Sequence, residues 1–225
     1  MIVVIGSPVG RSIQGRITLA GLASATARAA SAAGAQVQLV GRVGDDPPAD
    51  AVLLELAAAG VGHVAVLRDP ARPTPIIVEP EGAPDTAEDT TDDIALEGDA
   101  EATTSLASAP IELDAEDVEL GLRYLTDFAV LVLVPPAEDA VVRIAVDGAR
   151  WASARLILVV DGQAPAGVDL PPDAIVLSAP AADPDAAFAS VVGRLAAALD
   201  SGVDPATAFE GAVGVDGWAV ATPET

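Results

Sequence analysis

The sequence predicts an α/β protein, a three-layer α/β/α sandwich built around a mostly parallel sheet. Short β-branched runs alternate along the chain with longer segments rich in Ala and Leu, which is the pattern of successive β-α-β units. Several of the runs, such as 2–5 and 156–160, are apolar at every position, as strands are when helices cover both faces of a sheet. The length of 225 residues suits a single domain over 1–225.

The elements follow from this alternation in chain order. Strands are predicted at 2–5, 37–40, 63–67, 74–78, 128–134, 156–160 and 175–177, and helices at 19–33, 48–59, 115–124, 137–148 and 185–199. Gly34 and Gly60 follow the first two helices, where a left-handed residue commonly ends a helix. Asp183, followed by Pro184, is the predicted N-cap of the last helix.

One acidic segment interrupts the pattern. Residues 73–122 contain fifteen acidic residues and no basic residue. Like charges at this density disfavour compact packing, so 82–110 is expected to be a mobile insertion. A calcium site is the alternative, but the run DTAEDTTDDIALEGDAE lacks the ligand order of an EF-hand loop.

Composition excludes several classes of chemistry. The chain has no Lys, Asn or Cys, and its 11 basic residues are all Arg. A phosphate-binding or Schiff-base lysine, a thiol nucleophile and a disulfide are therefore excluded. The single histidine, His63, cannot build a histidine metal cluster and is predicted to be structural, and no metal site is predicted.

Charge and hydropathy limit the expected partners and location. The net charge of −23 repels nucleic acid, so no nucleic-acid partner is expected. The longest apolar run, at 128–134, is too short to span a bilayer, and the N-terminus lacks a basic leader region. We therefore expect a cytoplasmic protein without a membrane partner.

The segment AGLASATARAASAAGAQVQLVGRVGDD, at 20–46, resembles the N-terminal part of the PfkB, or ribokinase-like, carbohydrate kinases. The likeness is strongest at GAQVQLVGRVGDD, where Gly41, Gly44 and Asp45 form the turn into the next helix. It covers 1–82, and the family's order of elements continues through 111–161. The resemblance implies a ribokinase-like fold, a small β lid formed from 68–78, and descent from enzymes that phosphorylate sugars with ATP.

The chain departs from this family at each catalytic motif. The family's Gly-Gly-x-Gly-x-Asn sugar motif corresponds to 20–25, where Ala25 stands at the asparagine position, and a chain without asparagine cannot hold its Asn-x-x-Glu magnesium motif. If the last predicted helix is the one that follows the family's Gly-Ala-Gly-Asp motif, that motif corresponds to 186–189, which reads AAFA and offers no base. If that helix belongs to an earlier unit, the chain ends before the motif.

These departures predict a sugar-kinase-derived protein that has lost catalysis and serves as a binding or oligomerising module, with no catalytic residue and no cofactor. One alternative is a divergent ATP-dependent carbohydrate kinase that uses replaced residues, with ATP and magnesium as its cofactors. Another is a purely structural subunit whose apolar surface lies against a partner protein.

Candidate ligand-binding residues lie at the carboxyl ends of predicted strands, where α/β proteins place their sites. Arg42, Gly44 and Asp45 lie in the turn at 41–46, and Asp161 follows the strand at 156–160. They are the predicted contacts of a small-molecule ligand. The competing interpretations are that Asp161 caps a turn and that the arginines pair with the acidic segment.

A homodimer is expected through the strand in PTPIIVEP. Its residues Ile76, Ile77 and Val78 are apolar and follow two prolines. If this strand lies outside the main sheet, its edge is unpaired and can join the same edge of a second copy.

Overall fold

The structure is a computed structural model that describes residues 1–78, 105–106, 111–162, 165, 167–183 and 185–214. Within them the strands are β1 (Ile2–Ile5), β2 (Val9–Ile13), β3 (Arg16–Ala20), β4 (Val37–Gly44), β5 (Val61–Asp69), β6 (Ile76–Val78), β7 (Ser105–Leu106), β8 (Val130–Leu133), β9 (Arg155–Val160) and β10 (Ile175–Ser178). The helices are α1 (Leu22–Ala32), α2 (Pro47–Ala58), α3 (Ala115–Tyr124), α4 (Asp139–Ala152), α5 (Ala187–Asp200) and α6 (Pro205–Gly214). The expected mobile insertion at 82–110 lies outside the described residues apart from β7.

The main sheet has six strands in the order β10-β9-β8-β1-β4-β5. Every neighbouring pair is parallel, and Ile2 of β1 stands opposite Val37 on one side and Val130 on the other. All residues of β1 and β8 are buried, because helices cover both faces of the sheet. The predicted mostly parallel sheet is therefore confirmed.

Two apolar cores, one on each face of this sheet, complete the three layers. One core joins the sheet to α1, α2, α5 and α6, and the other joins it to α3 and α4. Helices α1 and α5 approach closely at Gly193, where an added Cβ would lie 2.6 Å from the Cβ of Ala29. The predicted α/β/α sandwich is confirmed.

A second, smaller sheet has the order β3-β2-β6-β7. Strands β2 and β3 form a hairpin through Gln14 and Gly15, whose φ values of 50° and 78° suit a two-residue turn. Neither strand was predicted from the sequence, and the first helix was predicted to begin at residue 19, whereas Leu19 and Ala20 belong to β3. Apolar composition alone does not separate a short strand from a helix start.

Strand β6 lies in this small sheet and not in the main one. It pairs in parallel with β2 and antiparallel with β7. The expectation of an unpaired edge at Ile77 is therefore wrong, because both edges of β6 carry partners from the same chain. The homodimer itself stays a prediction.

The remaining element boundaries differ modestly from those predicted. Helix α3 begins and ends at the predicted residues, whereas α4 begins two residues later and continues to Ala152. Gly34 and Gly60 have φ values of 92° and 73°, so both end their helices in the left-handed conformation as predicted. Among the residues described, no helix has the length and apolar character needed to cross a bilayer.

Candidate functional site

A cleft of about 660 Å³ lies between the small sheet and the carboxyl-terminal edge of the main sheet. Strands β2, β3 and β6 contribute Arg11, Leu19 and Ile77, and helix α1 contributes Leu22, Ala25 and Arg28. The loop after β10 and the start of α5 also line the cleft, with Ala179, Pro180, Ala181, Ala182, Asp183, Asp185, Ala186 and Phe188. The small sheet therefore forms a lid over the edge where α/β folds bind their ligands.

The chain's own carboxylate occupies the N-terminus of α5 at this cleft. The two side-chain oxygens of Asp183 accept hydrogen bonds of 3.0 Å each from the backbone N–H groups of Phe188 and Ala189. The N-cap position is Ala186, which is left-handed with φ 53°, so the prediction that Asp183 itself is the N-cap is corrected. Asp183 still satisfies first-turn amides, but does so from a loop three residues earlier.

Helix α1 also begins at this cleft, but its N-terminus differs from that of α5. Its N-cap is Gly21, with φ 85°, and no side chain caps it. A Cβ at Gly21 would lie 3.2 Å from Val9 Cγ2, so glycine suits both the backbone conformation and the close approach of β2. Among the residues that the structure describes, the charged side chains on the cleft wall are two arginines, Arg11 and Arg28, and two aspartates, Asp183 and Asp185.

The predicted ligand residue Arg42 lies at the end of β4 and is held by carboxylates. Its guanidinium lies 2.5 Å from Asp117, 3.5 Å from Asp114 and 3.9 Å from Asp69. Asp114 and Asp117 belong to the acidic stretch at 73–122, so the pairing of this arginine with that stretch is confirmed. The Arg42 side chain therefore joins β4 to the start of α3 and is absent from the cleft wall.

Gly44 ends β4 two residues after Arg42, and Asp45 follows it in the turn that supports the lid. A Cβ at Gly44 would lie 2.5 Å from the backbone nitrogen of Thr74, so only glycine allows the chain before β6 to pass this closely. Asp45 lies 3.4 Å from Arg68 at the surface. Arg42 and Asp45 therefore have different charged partners, and ligand binding by Arg42, Gly44 and Asp45 stays a prediction.

A polar contact that the sequence did not indicate holds the lid strand in place. Thr74 is buried, and its hydroxyl accepts a bond from Gly44 N–H at 3.0 Å and donates to Asp46 Oδ1 at 2.5 Å. Asp46 Oδ2 accepts from the Thr74 N–H at 2.8 Å, and Asp46 Oδ1 accepts from the Ala49 N–H at 3.1 Å. Asp46 at the start of α2 therefore anchors the residues that lead into β6.

Opposing effects set the pKa of Asp46. Burial raises the pKa, but hydrogen bonds from Thr74 and Ala49 and the charge of Arg68 outweigh burial and hold the pKa below its usual value. The carboxylate form is therefore the one that the fold stabilises.

Asp161 lies apart from the other predicted ligand residues. It follows β9, three strands away from β4 in the sheet, and lines a small pocket of about 150 Å³ with Asp139 and Pro135. Its side chain is exposed, and its ligand-binding role stays a prediction. In the described part of the chain, no three His, Asp or Glu side chains are grouped so that they could hold a metal ion.

Solved structures of sugar kinases share this architecture. The chain superposes with a TM-score of 0.62 on Arabidopsis thaliana ribokinase complexed with ribose and ATP, at 12% identity, over 100% of this chain and 93% of that one. An Escherichia coli putative ribokinase II in complex with ATP and Mg²⁺ gives 0.62 at 13% identity, over 98% and 92%. Fructokinase from Xylella fastidiosa gives 0.51 at 14% identity, over 95% and 69%.

No protein-family model matches the sequence, and no curated protein matches it significantly. The structural similarity, at these low identities, establishes the fold and leaves the activity open. The chain has a ribokinase-like α/β fold, as the resemblance at 20–46 implied.

Proposed function

We propose that this chain is a ribokinase-like protein that binds a small molecule in the cleft under its lid and does not transfer a phosphoryl group. One observation carries the proposal, the occupation of the α5 N-terminus by Asp183. Helix N-termini bind phosphate because their amides and their dipole attract negative charge. At α5 two of these amides are already bonded to an internal carboxylate, which would also repel a phosphate.

The other parts of a phosphoryl-transfer site also fit poorly. Transfer needs cations beside the phosphate oxygens and a positioned base for the attacking hydroxyl. The side chains that α5 and its preceding loop bring to the cleft include Ala186 and Phe188, which neither bind a proton nor ligate magnesium. Asp183 is engaged with α5, which leaves Asp185 as the one other carboxylate that the described residues bring to the cleft. A single free carboxylate is a poor match for a site that must both hold magnesium and supply a base.

The cleft itself is suited to ligand binding. Its volume lies within the range of small-molecule sites. Leu19, Leu22 and Phe188 supply apolar surface, and Arg28 supplies guanidinium donors at the edge. A protein that has lost catalysis but keeps a shaped, lid-covered cleft would act as a binding protein.

Thermal denaturation with a panel of sugars, with and without magnesium-ATP, tests the proposal. A ligand that binds only the folded state raises Tm by mass action, so we expect at least one sugar or sugar acid to raise Tm and magnesium-ATP to leave it unchanged. An Ala25→Trp change, which fills the cleft wall, should abolish the shift. Leu54→Trp, on an exposed position of α2, is the matched control and should preserve the shift.

A coupled assay measures catalysis directly. We expect no sugar-dependent ATP hydrolysis above the background of the reagents. Turnover at about one per second or faster, the ordinary range of kinases, would refute the loss of catalysis and support a divergent kinase. Absence of any Tm shift across the panel would refute the binding role.

A further inference from the structure

The outer face of α4 carries a stripe of charges with alternating sign. Asp139, Arg143, Asp147 and Arg150 are exposed and follow one another at intervals of one helical turn. Within the chain, Arg143 lies 3.9 Å from Asp139 and Arg150 lies 4.0 Å from Asp147, distances at which exposed pairs contribute little. Arg150 also bonds Asp169 at 2.7 Å. The stripe has equal numbers of positive and negative residues on a chain whose net charge is −23.

An apolar stripe runs beside these charges. It consists of Ala140, Ile144, Gly148 and Trp151, again one turn apart, and the last three line a groove of about 520 Å³ between α4 and α3. Trp151 is 75% exposed. A tryptophan this exposed, beside an apolar groove that Arg123 also lines, is characteristic of a protein interface.

Each stripe is complementary to the same stripe on a second copy of α4 that runs in the opposite direction. In an antiparallel pair about a two-fold axis near residue 145, Arg143 faces Asp147 of the partner subunit and Asp139 faces Arg150 of the partner subunit. The same register brings Ile144 to within about 3 Å, along the helix axis, of Gly148 of the partner subunit. It also places Trp151 opposite Ala140 of the partner subunit, so each large side chain meets a small residue.

The two-fold axis keeps the stripes aligned. Rotation about an axis that is perpendicular to α4 and lies in the contact plane places each charged stripe against the charged stripe of the other copy. Apolar residues then meet apolar residues in the same contact.

From this geometry we propose that the protein forms a two-fold symmetric homodimer in which α4 packs antiparallel on α4 of a second copy. A second copy fits because its own charge pattern is the complement that this face needs. Elsewhere the excess of acidic residues makes copies repel, whereas opposite charges meet across this face. The inference is independent of ligand binding in the cleft and replaces the β6 edge as the expected dimer contact.

Complementary charge reversals test the register. Arg143→Asp places Asp opposite Asp147 of the partner subunit, and Asp147→Arg places Arg opposite Arg143 of the partner subunit, so each variant alone should be monomeric by sedimentation velocity. Mixed in equal amounts, the two variants should form a heterodimer, because both cross-axis pairs again join opposite charges. Wild type should be dimeric at the same concentration.

Two controls separate this contact from general effects. Arg16→Asp makes the same charge change as Arg143→Asp on an exposed position of β3 and should leave the dimer intact. Trp151→Ala should weaken the dimer at least tenfold, whereas Leu54→Ala, at an apolar residue on α2 that is 71% exposed, should not. Far-UV circular dichroism confirms that each exposed-site variant is folded.

The outcomes decide the proposal in either direction. A wild-type monomer at millimolar concentration would overturn it, as would a dimer that survives both Arg143→Asp and Trp151→Ala. Failure of the mixed variants to associate would overturn the antiparallel register. Heterodimer formation by the mixture, with monomeric single variants, would establish it.

Discussion

Replacing Thr74 with valine removes the hydroxyl that holds the lid strand while keeping the side-chain volume nearly unchanged. The Gly44 N–H then loses its partner in a buried position, which costs about 1–3 kcal/mol. The Asp46 carboxylate loses the hydrogen bond that the Thr74 hydroxyl donates to it, and a bond to such a charged acceptor is worth about 1.5–3 kcal/mol. The added methyl group offsets roughly 1 kcal/mol through apolar burial. We expect the free energy of unfolding to fall by about 3 kcal/mol.

Urea denaturation of wild type, Thr74→Val and Thr74→Ser measures this loss. Serine keeps the hydroxyl and lacks only the methyl group, so Thr74→Ser should cost no more than about 1 kcal/mol. Equal losses for valine and serine would show that packing, and not the hydrogen bonds, makes Thr74 important. A loss below about 0.5 kcal/mol for Thr74→Val would contradict the anchoring role altogether.

The same contact predicts a pH dependence. Hydrogen bonding and the charge of Arg68 outweigh burial and lower the pKa of Asp46 in the folded state. A carboxyl group with a lowered folded pKa stabilises the protein above its unfolded pKa, and that stability is lost as pH falls through the folded pKa. The difference in stability between wild type and Thr74→Val should therefore narrow as the pH drops below about 4. An unchanged difference down to about pH 2 would contradict the assignment.

Three further substitutions test the helix packing and the ion pairs of Arg42. Gly193→Ala should destabilise the protein by about 1–3 kcal/mol, because its Cβ would lie 2.6 Å from the Cβ of Ala29, whereas Gly211→Ala in α6, with open space around it, should stabilise by about 0.5–1 kcal/mol in the same urea assay. Opposite signs are the expected result, and equal effects would contradict the close α1–α5 contact. Arg42→Met should cost about 2–3 kcal/mol, since it leaves the nearly buried carboxylate of Asp117 without its 2.5 Å partner. If Arg42→Met has the same free energy of unfolding as wild type, that result would contradict a structural role for this cluster.

The order of main-sheet strands and covering helices could be read from local pattern. Strand β1 and helix α3 have the bounds that the sequence predicted. A fully apolar run such as β1 must be buried on both faces, whereas an amphipathic helix such as α3 must be buried on one face only. The capping box at Asp114 and Asp117 explains why α3 begins where it does. These are short-range properties of the chain.

The lid was harder to predict from the sequence. The Gln14–Gly15 turn between two short strands was a usable hairpin signal, but β2 and β3 are only partly buried and lack a continuous apolar run. The position of β6 in the second sheet depends on pairing with β2, more than sixty residues earlier in the chain. Local periodicity carries no information about such a partner.

The sequence by itself determined the α/β class, the main elements, and the absence of lysine, asparagine and cysteine chemistry. Only the tertiary structure decided what the polar residues at the strand ends contact. Arg42 was a candidate ligand residue by its position after a strand, yet α3 brings Asp117 against it. Asp183 was a candidate cap, and the fold shows which amides it satisfies. Contacts between residues distant in sequence arise from packing of the whole chain. Composition and spacing could therefore indicate these residues as candidates, but could not identify the residues that they contact.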